Sequence, residues 1–120
     1  MRTALNRVLM TAAVAAVVSF STIYTPSVQA GAIEDGRKVA YDRKKGNCLA
    51  CHLIQGANLP GNIGPPLIAM KARFPDKAAL RAQIWDSTVK NPNSLIPPFG
   101  KHGVLTEKEI DLVVDFIYSL

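Results

Sequence analysis

Apolar and polar positions follow helical spacing over three stretches of this chain, and strand-like alternation appears over none. The clearest stretch is C-terminal. Thr106-Glu107-Lys108-Glu109 is a capping box, and Ile110, Val113, Val114 and Ile117 follow at i, i+3, i+4 and i+7. Asp111 and Asp115 fall outside that stripe. Such a stripe is core packing, and it predicts the last helix. A second helix is expected from Asp76, as N-cap, to about Val89, burying Leu80 and Ile84, with Trp85 a further candidate. A third reads over Ile33–Lys44, with Glu34 and Asp35 at its start, where negative charge suits the macrodipole. Gly36 lies inside it at a cost of about 1 kcal/mol relative to Ala. Either a second helix packed close against it or simple tolerance accounts for that glycine. Gln55–Pro66 and Asn91–Gly103 are rich in Gly and Pro and read as long loops. The expected fold class is all-α.

The 120 residues allow one domain. Their 48% hydrophobic content is unevenly placed. Met1–Arg7 is basic, Val8–Val18 is uncharged and mostly apolar, and Val28-Gln29-Ala30 offers small residues for cleavage. That order describes a secretory signal over residues 1–30, cut after Ala30, with a domain over residues 31–120. A retained anchor needs about 20 predominantly apolar residues, and Ser19, Ser21 and Thr22 interrupt this run. No Cys follows the expected cut, so no lipid attachment is expected there, and no membrane contact after cleavage. The formal charge of +5 includes Arg2 and Arg7. Residues 31–120 therefore carry a mild excess, which argues against nucleic acid as a partner. A disulfide-rich scaffold is excluded by two cysteines.

Both cysteines fall in Cys48-Leu49-Ala50-Cys51-His52. Cys-x-x-Cys-His is the attachment signature of c-type haem. Two thiols three positions apart on a helical turn can add to the two haem vinyl groups, and His52 then offers its imidazole to the iron. A thioredoxin-like disulfide needs a βαβ context, which is missing. A zinc site needs four ligands, and Cys48, Cys51, His52 and His102 are all the Cys and His residues there are. One covalent haem c is the expected cofactor, with His52 as metal ligand. Gly64-Pro65-Pro66-Leu67 is expected to place the Pro65 carbonyl where it accepts the second ring N–H of His52. Asn91–Gly103 is placed to cover the opposite haem face.

Helix, CxxCH, GPxL-type loop, helix, Pro-rich loop and C-terminal helix resemble the layout of a class I cytochrome c. Gly64-Pro65-Pro66-Leu67, Leu80-Arg81, Ile84-Trp85-Asp86, Asn91-Pro92, Pro97-Pro98-Phe99-Gly100-Lys101-His102, Leu105-Thr106 and Glu109-Ile110 narrow the resemblance. The series is similar to SoxX, the monohaem cytochromes of the bacterial thiosulfate-oxidising (Sox) system, over nearly all of residues 33–120. The resemblance implies three main helices around one haem. It also implies a periplasmic location and a heterodimer with a SoxA-like cytochrome. Such a SoxAX complex acts as an L-cysteine S-thiosulfotransferase, and electrons leave through the SoxX side to a further cytochrome or oxidase. A free-standing electron shuttle and a haem protein with an open distal position are the alternative readings.

The resemblance also exposes a departure. Its members usually carry the sixth iron ligand as a Met directly before Pro-Pro-Phe-Gly, where this chain has Ile96. Met70, His102, Lys101 or water remain as candidates. A haem without the Met is expected to have a lowered potential or to bind exogenous ligands. Arg37, Lys38, Arg43, Lys44 and Lys45 lead into the CxxCH and are either a docking patch or a solvated face. No acid–base or nucleophilic constellation is present, so catalytic residues are not expected.

Overall fold

A computed structural model describes residues 26–120. Residues 1–25 of the expected export segment lie outside the described residues. The described residues form four α-helices: α1 (Pro26–Tyr41), α2 (Met70–Arg73), α3 (Lys77–Trp85) and α4 (Glu107–Tyr118). Two single 3-10 turns, Cys48–Ala50 and Ser87–Val89, complete the order, and no strand occurs among the described residues. The all-α expectation holds. Three helices are substantial, and α2 is a single added turn. No described helix is long and apolar enough to cross a membrane.

Helix α4 begins as its sequence dictates. The Thr106 hydroxyl accepts from the Glu109 amide at 3.2 Å, and the Glu109 carboxylate accepts from the Thr106 amide at 3.0 Å. Two N–H groups that lack partners inside the helix are thereby satisfied. Ile110, Val113, Val114 and Ile117 are all buried, joined by Phe116. Ala40 of α1, Leu80 of α3, Met70 of α2 and the loop residues Ile54, Phe99 and Leu105 complete this core.

Helix α1 crosses α4 at Gly36. A Cβ at Gly36 would overlap the Leu112 backbone and come within 2.9 Å of the Phe116 Cβ. The missing side chain is thus what lets the two helices touch, which decides between the two readings of that glycine. One turn on, Tyr41 meets Phe116 edge-on at 5.8 Å. Lys45 and Glu109 tie the end of this contact with an ion pair. Helix α3 packs on the other side of α4. Arg81 donates to Asp111 at 2.6 Å and to Glu107 at 3.2 Å, and Lys77 pairs with Asp115. These exposed pairs each add about 0–1 kcal/mol, so the apolar stripe beneath them carries the contact.

Helix boundaries differ from the expected ones for local reasons. α1 is already formed ahead of Ile33, the expected start, so Glu34 and Asp35 are mid-helix. There they pair with Arg37 and Lys38 three residues on. α1 also stops at Tyr41 rather than Lys44, because the Asp42 carboxylate accepts the Lys44 N–H and closes a turn. Asp76 caps α3 by accepting from the Ala78 amide. That helix ends at Trp85, not Val89, because Asp86 leaves helical geometry at φ −154°, ψ 93° and caps the following turn.

Two outcomes follow. Gly36→Ala should lower the melting temperature by the equivalent of about 1–3 kcal/mol, despite the better helix propensity of Ala; thermal unfolding followed by circular dichroism checks it. Lys45, the Thr106 amide and the Thr106 hydroxyl hold the Glu109 carboxyl down at about 2, from a usual 4.5. Its contribution is complete above about pH 4.5 and fades as pH falls through about 2. Glu109→Gln should therefore lower stability near neutral pH and flatten this part of the acid-unfolding curve, measured by denaturant titration along a pH series.

Candidate haem site

The chain reaches Cys48 through a tight turn. The Gly46 amide donates to the Val39 carbonyl at 3.2 Å, which folds the turn back on the end of α1. Asn47 then adopts the left-handed conformation, φ 46° and ψ 36°. Asn tolerates that region better than most residues with a side chain. The 3-10 turn that follows is closed by the Cys51 and His52 amides, both donating to the Cys48 carbonyl, at 3.2 and 2.9 Å. This stacks Cys48 and Cys51 on one short turn, with His52 directly after it. Both side chains are partly buried, and the two cysteines are not joined as a disulfide. Before haem is attached, burial pushes the Cys48 thiol up to about 11.

His52 is gripped by the Gly/Pro-rich loop. Its Nδ1 lies 2.7 Å from the Pro65 carbonyl oxygen. A carbonyl only accepts, so this contact places the ring proton on Nδ1 and leaves Nε2 with a free lone pair. Gly64 lies flat against the ring: a Cβ there would come within 2.5 Å of Cε1 and 2.7 Å of Nδ1. The loop is laced to the motif by its backbone. The Gly61 amide donates to Leu49 at 2.7 Å, Gly64 to Cys51 at 2.8 Å, and Leu67 to Leu53 at 2.9 Å. Arg73 of α2 buttresses it, donating to the Pro66 carbonyl at 2.7 Å and touching the Met70 sulfur at 3.5 Å through the same nitrogen.

Cys48, Cys51, His52 and Pro65 all line one cavity of about 440 Å³. Its walls are mostly apolar, from Leu67, Phe74, Leu80, Ile84, Phe99, Leu105, Val113 and Ile117. The volume lies in the range of small-molecule and cofactor sites. Two thiols on one turn, an imidazole with one nitrogen committed and the other available, and an apolar enclosure fit haem c. When bound, haem supplies a one-electron iron couple. The chain's own part is to orient the imidazole, exclude water and enclose the macrocycle.

The other loop is held by a buried network that the sequence did not announce. Asp86 is 6% exposed, and its carboxylate accepts from Thr88 and pairs with Lys101 at 2.8 Å. Lys101 and its neighbours hold the carboxyl down at about 2, well below the usual Asp range. The buried Ser87 hydroxyl donates to the Ile96 carbonyl at 3.1 Å. The amides of Gly100 and Lys101 both donate to the Trp85 carbonyl. The one available signal was Asp-Ser-Thr directly after a helical stripe, a capping pattern inside what reads as helix. Ile96 lines the cavity, as does Met70, whereas Lys101 and His102 are not among its lining residues. The basic cluster is largely neutralised locally. Arg37, Lys38 and Lys45 pair with Glu34, Asp35 and Glu109, and Arg43 and Lys44 are exposed beside them.

Gly64→Ala should push the imidazole out of its seat. The expected result is less covalently attached haem per chain, read as the pyridine haemochrome, and a stability loss of about 1–3 kcal/mol in thermal melts.

Comparison with known proteins shows the family. The family model described as cytochrome c oxidase, cbb3-type, subunit III matches residues 31–117. An uncharacterised lipoprotein of Aquifex aeolicus (strain VF5) is 36% identical over 77 residues, which is 63% of this chain and 37% of that protein. The chain thus spans little more than a third of that relative's length. The family match covers the CxxCH turn, both loops and nearly all of α4. The chain belongs to this cytochrome c family, and it is a c-type cytochrome with haem c attached through Cys48 and Cys51.

Proposed function

We propose that the protein is a periplasmic electron carrier acting as the SoxX-like subunit of a SoxAX complex in thiosulfate oxidation. The observation that carries the haem role is the His52 Nδ1–Pro65 contact at the wall of the CxxCH cavity. It orients the ring with Nε2 as the iron-binding atom, and the Pro65 carbonyl raises the basicity of that nitrogen. His52 is then the proximal ligand and Pro65 the group that positions it. Ile63 and Leu95 line the cavity and are still 69% and 82% exposed, which supplies an apolar rim where a redox partner can approach.

The Sox assignment is supported by the residue series from Gly64 to Ile110 described above. On this reading a SoxA-like cytochrome is the partner, and the thiosulfotransferase chemistry resides in the complex. Residues 1–30 act as a Sec-type export signal, which agrees with the chemistry of haem attachment to free thiols outside the cytoplasm. The family description names a cbb3-type oxidase, which favours a second reading: a free-standing shuttle that passes electrons towards such an oxidase.

Purification of the full chain from a host able to attach haem c tests both. The first reading expects a periplasmic haem protein starting at Gly31 that co-purifies with a co-expressed SoxA-like chain. A monomer that ignores that chain and is oxidised by a cbb3-type oxidase preparation supports the second. A cytoplasmic chain without covalent haem overturns both.

A further inference from the structure

The axial ligands that proteins offer haem iron are imidazole, thioether, thiolate, phenolate and amine groups. The described residues around the cavity supply very few. Cys48 and Cys51 are committed to the haem itself, and His52 is seated against Pro65. Met70 is the one thioether in the wall. The Arg73 nitrogen that touches its sulfur also binds the Pro66 carbonyl, so the sulfur lies beside the loop behind His52. His52 Nδ1 faces that loop, and Nε2 diverges from it across the ring. Met70 therefore belongs to the side that already holds the imidazole.

The remaining candidates sit on the second loop, and that loop is fastened. Lys101 is engaged with buried Asp86. His102 is exposed, and its amide donates to the Pro98 carbonyl at 3.0 Å. To bring His102 inward, the chain would have to give up the Lys101–Asp86 pair and both amide bonds to Trp85. It would also have to free Ile96, whose carbonyl accepts from Ser87 and whose amide donates to Ser94 at 3.3 Å. Leaving Asp86 buried without its cation is costly. Tyr41 and Tyr118 are placed elsewhere, against Phe116 and the Pro75 carbonyl. What this loop presents to the cavity is Leu95, Ile96, Pro97 and Phe99 together with Asn91, Asn93 and Ser94, none of which carries an imidazole, thioether, thiolate, phenolate or amine.

We propose that the described residues leave the second axial position of this haem without a protein ligand, so that it accepts a small neutral diatomic ligand against Ile96. The inference rests on the haem role proposed above. Binding is a reversible lone-pair donation to ferrous iron and involves no net oxidation or reduction.

The probe is carbon monoxide, titrated into the dithionite-reduced holoprotein and followed by visible spectra, after the pyridine haemochrome has established covalent haem. Wild type should bind it with a full spectral shift. Ile96→Met should add a methionine–iron charge-transfer band in the ferric state, raise the reduction potential and weaken carbon monoxide binding about tenfold or more, because apparent affinity scales with the open fraction. The wild-type titration decides the matter even where the variant folds poorly. Haemochrome present without a carbon monoxide shift overturns this inference alone, as does a methionine band in wild type. Tighter binding in His102→Ala also overturns it, since the removed side chain was then the ligand. Absence of the haemochrome overturns the haem reading as well.

Discussion

The approach of α1 to α4 at Gly36 is the constraint on which the rest of this structure hangs. Backbone and side chain of α4 occupy the space where a Cβ would stand. The crossing aligns Tyr41 with Phe116 and Lys45 with Glu109. It therefore fixes the point from which the chain leaves α1. The turn over 42–47 folds back on Val39, and the CxxCH begins at once. A shift at Gly36 would be delivered to Cys48 and Cys51 with little in between to absorb it, since interiors are close-packed.

Two loops close on the cavity that this frame leaves, and they are held by different means. The loop behind His52 is knitted to the motif by backbone hydrogen bonds, with Arg73 as a strut against Pro66. The loop carrying Ile96 is pinned from beneath by side chains, through Asp86, Ser87 and Lys101. Both devices satisfy backbone groups that Pro-rich segments cannot satisfy within themselves. Both also restrict how far the walls can move. For an electron carrier this matters, because a site held by its surroundings needs little rearrangement when the charge on the cofactor changes.

Much of the fold was legible in the residues. The capping box and stripe of α4, the Asp76 cap, the two Gly/Pro loops and the absence of strand patterning all reflect local chemistry, which a short window contains. Helix ends were less legible. Asp42 and Asp86 each close a turn inside a helical pattern, and short polar side chains compete with the helix only when the local geometry lets them. That the chain is already helical ahead of Ile33 had no signal, since Glu34 and Asp35 read as a first turn and prove to be partners for Arg37 and Lys38.

The haem chemistry was written in five contiguous residues, because covalent attachment needs its thiols and imidazole on one turn, and spacing alone encodes that. The capping of α3 and α4 was equally local. The close helix crossing, the Asp86–Lys101 anchor and the placement of Met70 beside the loop behind His52 were not. Each joins groups far apart along the chain or depends on which way a loop is fastened, and such pairings come into being when the core closes. Whether His102 or Lys101 faces the cavity is likewise a matter of where Asp86 is buried, and burial belongs to the folded molecule and not to any one segment of it.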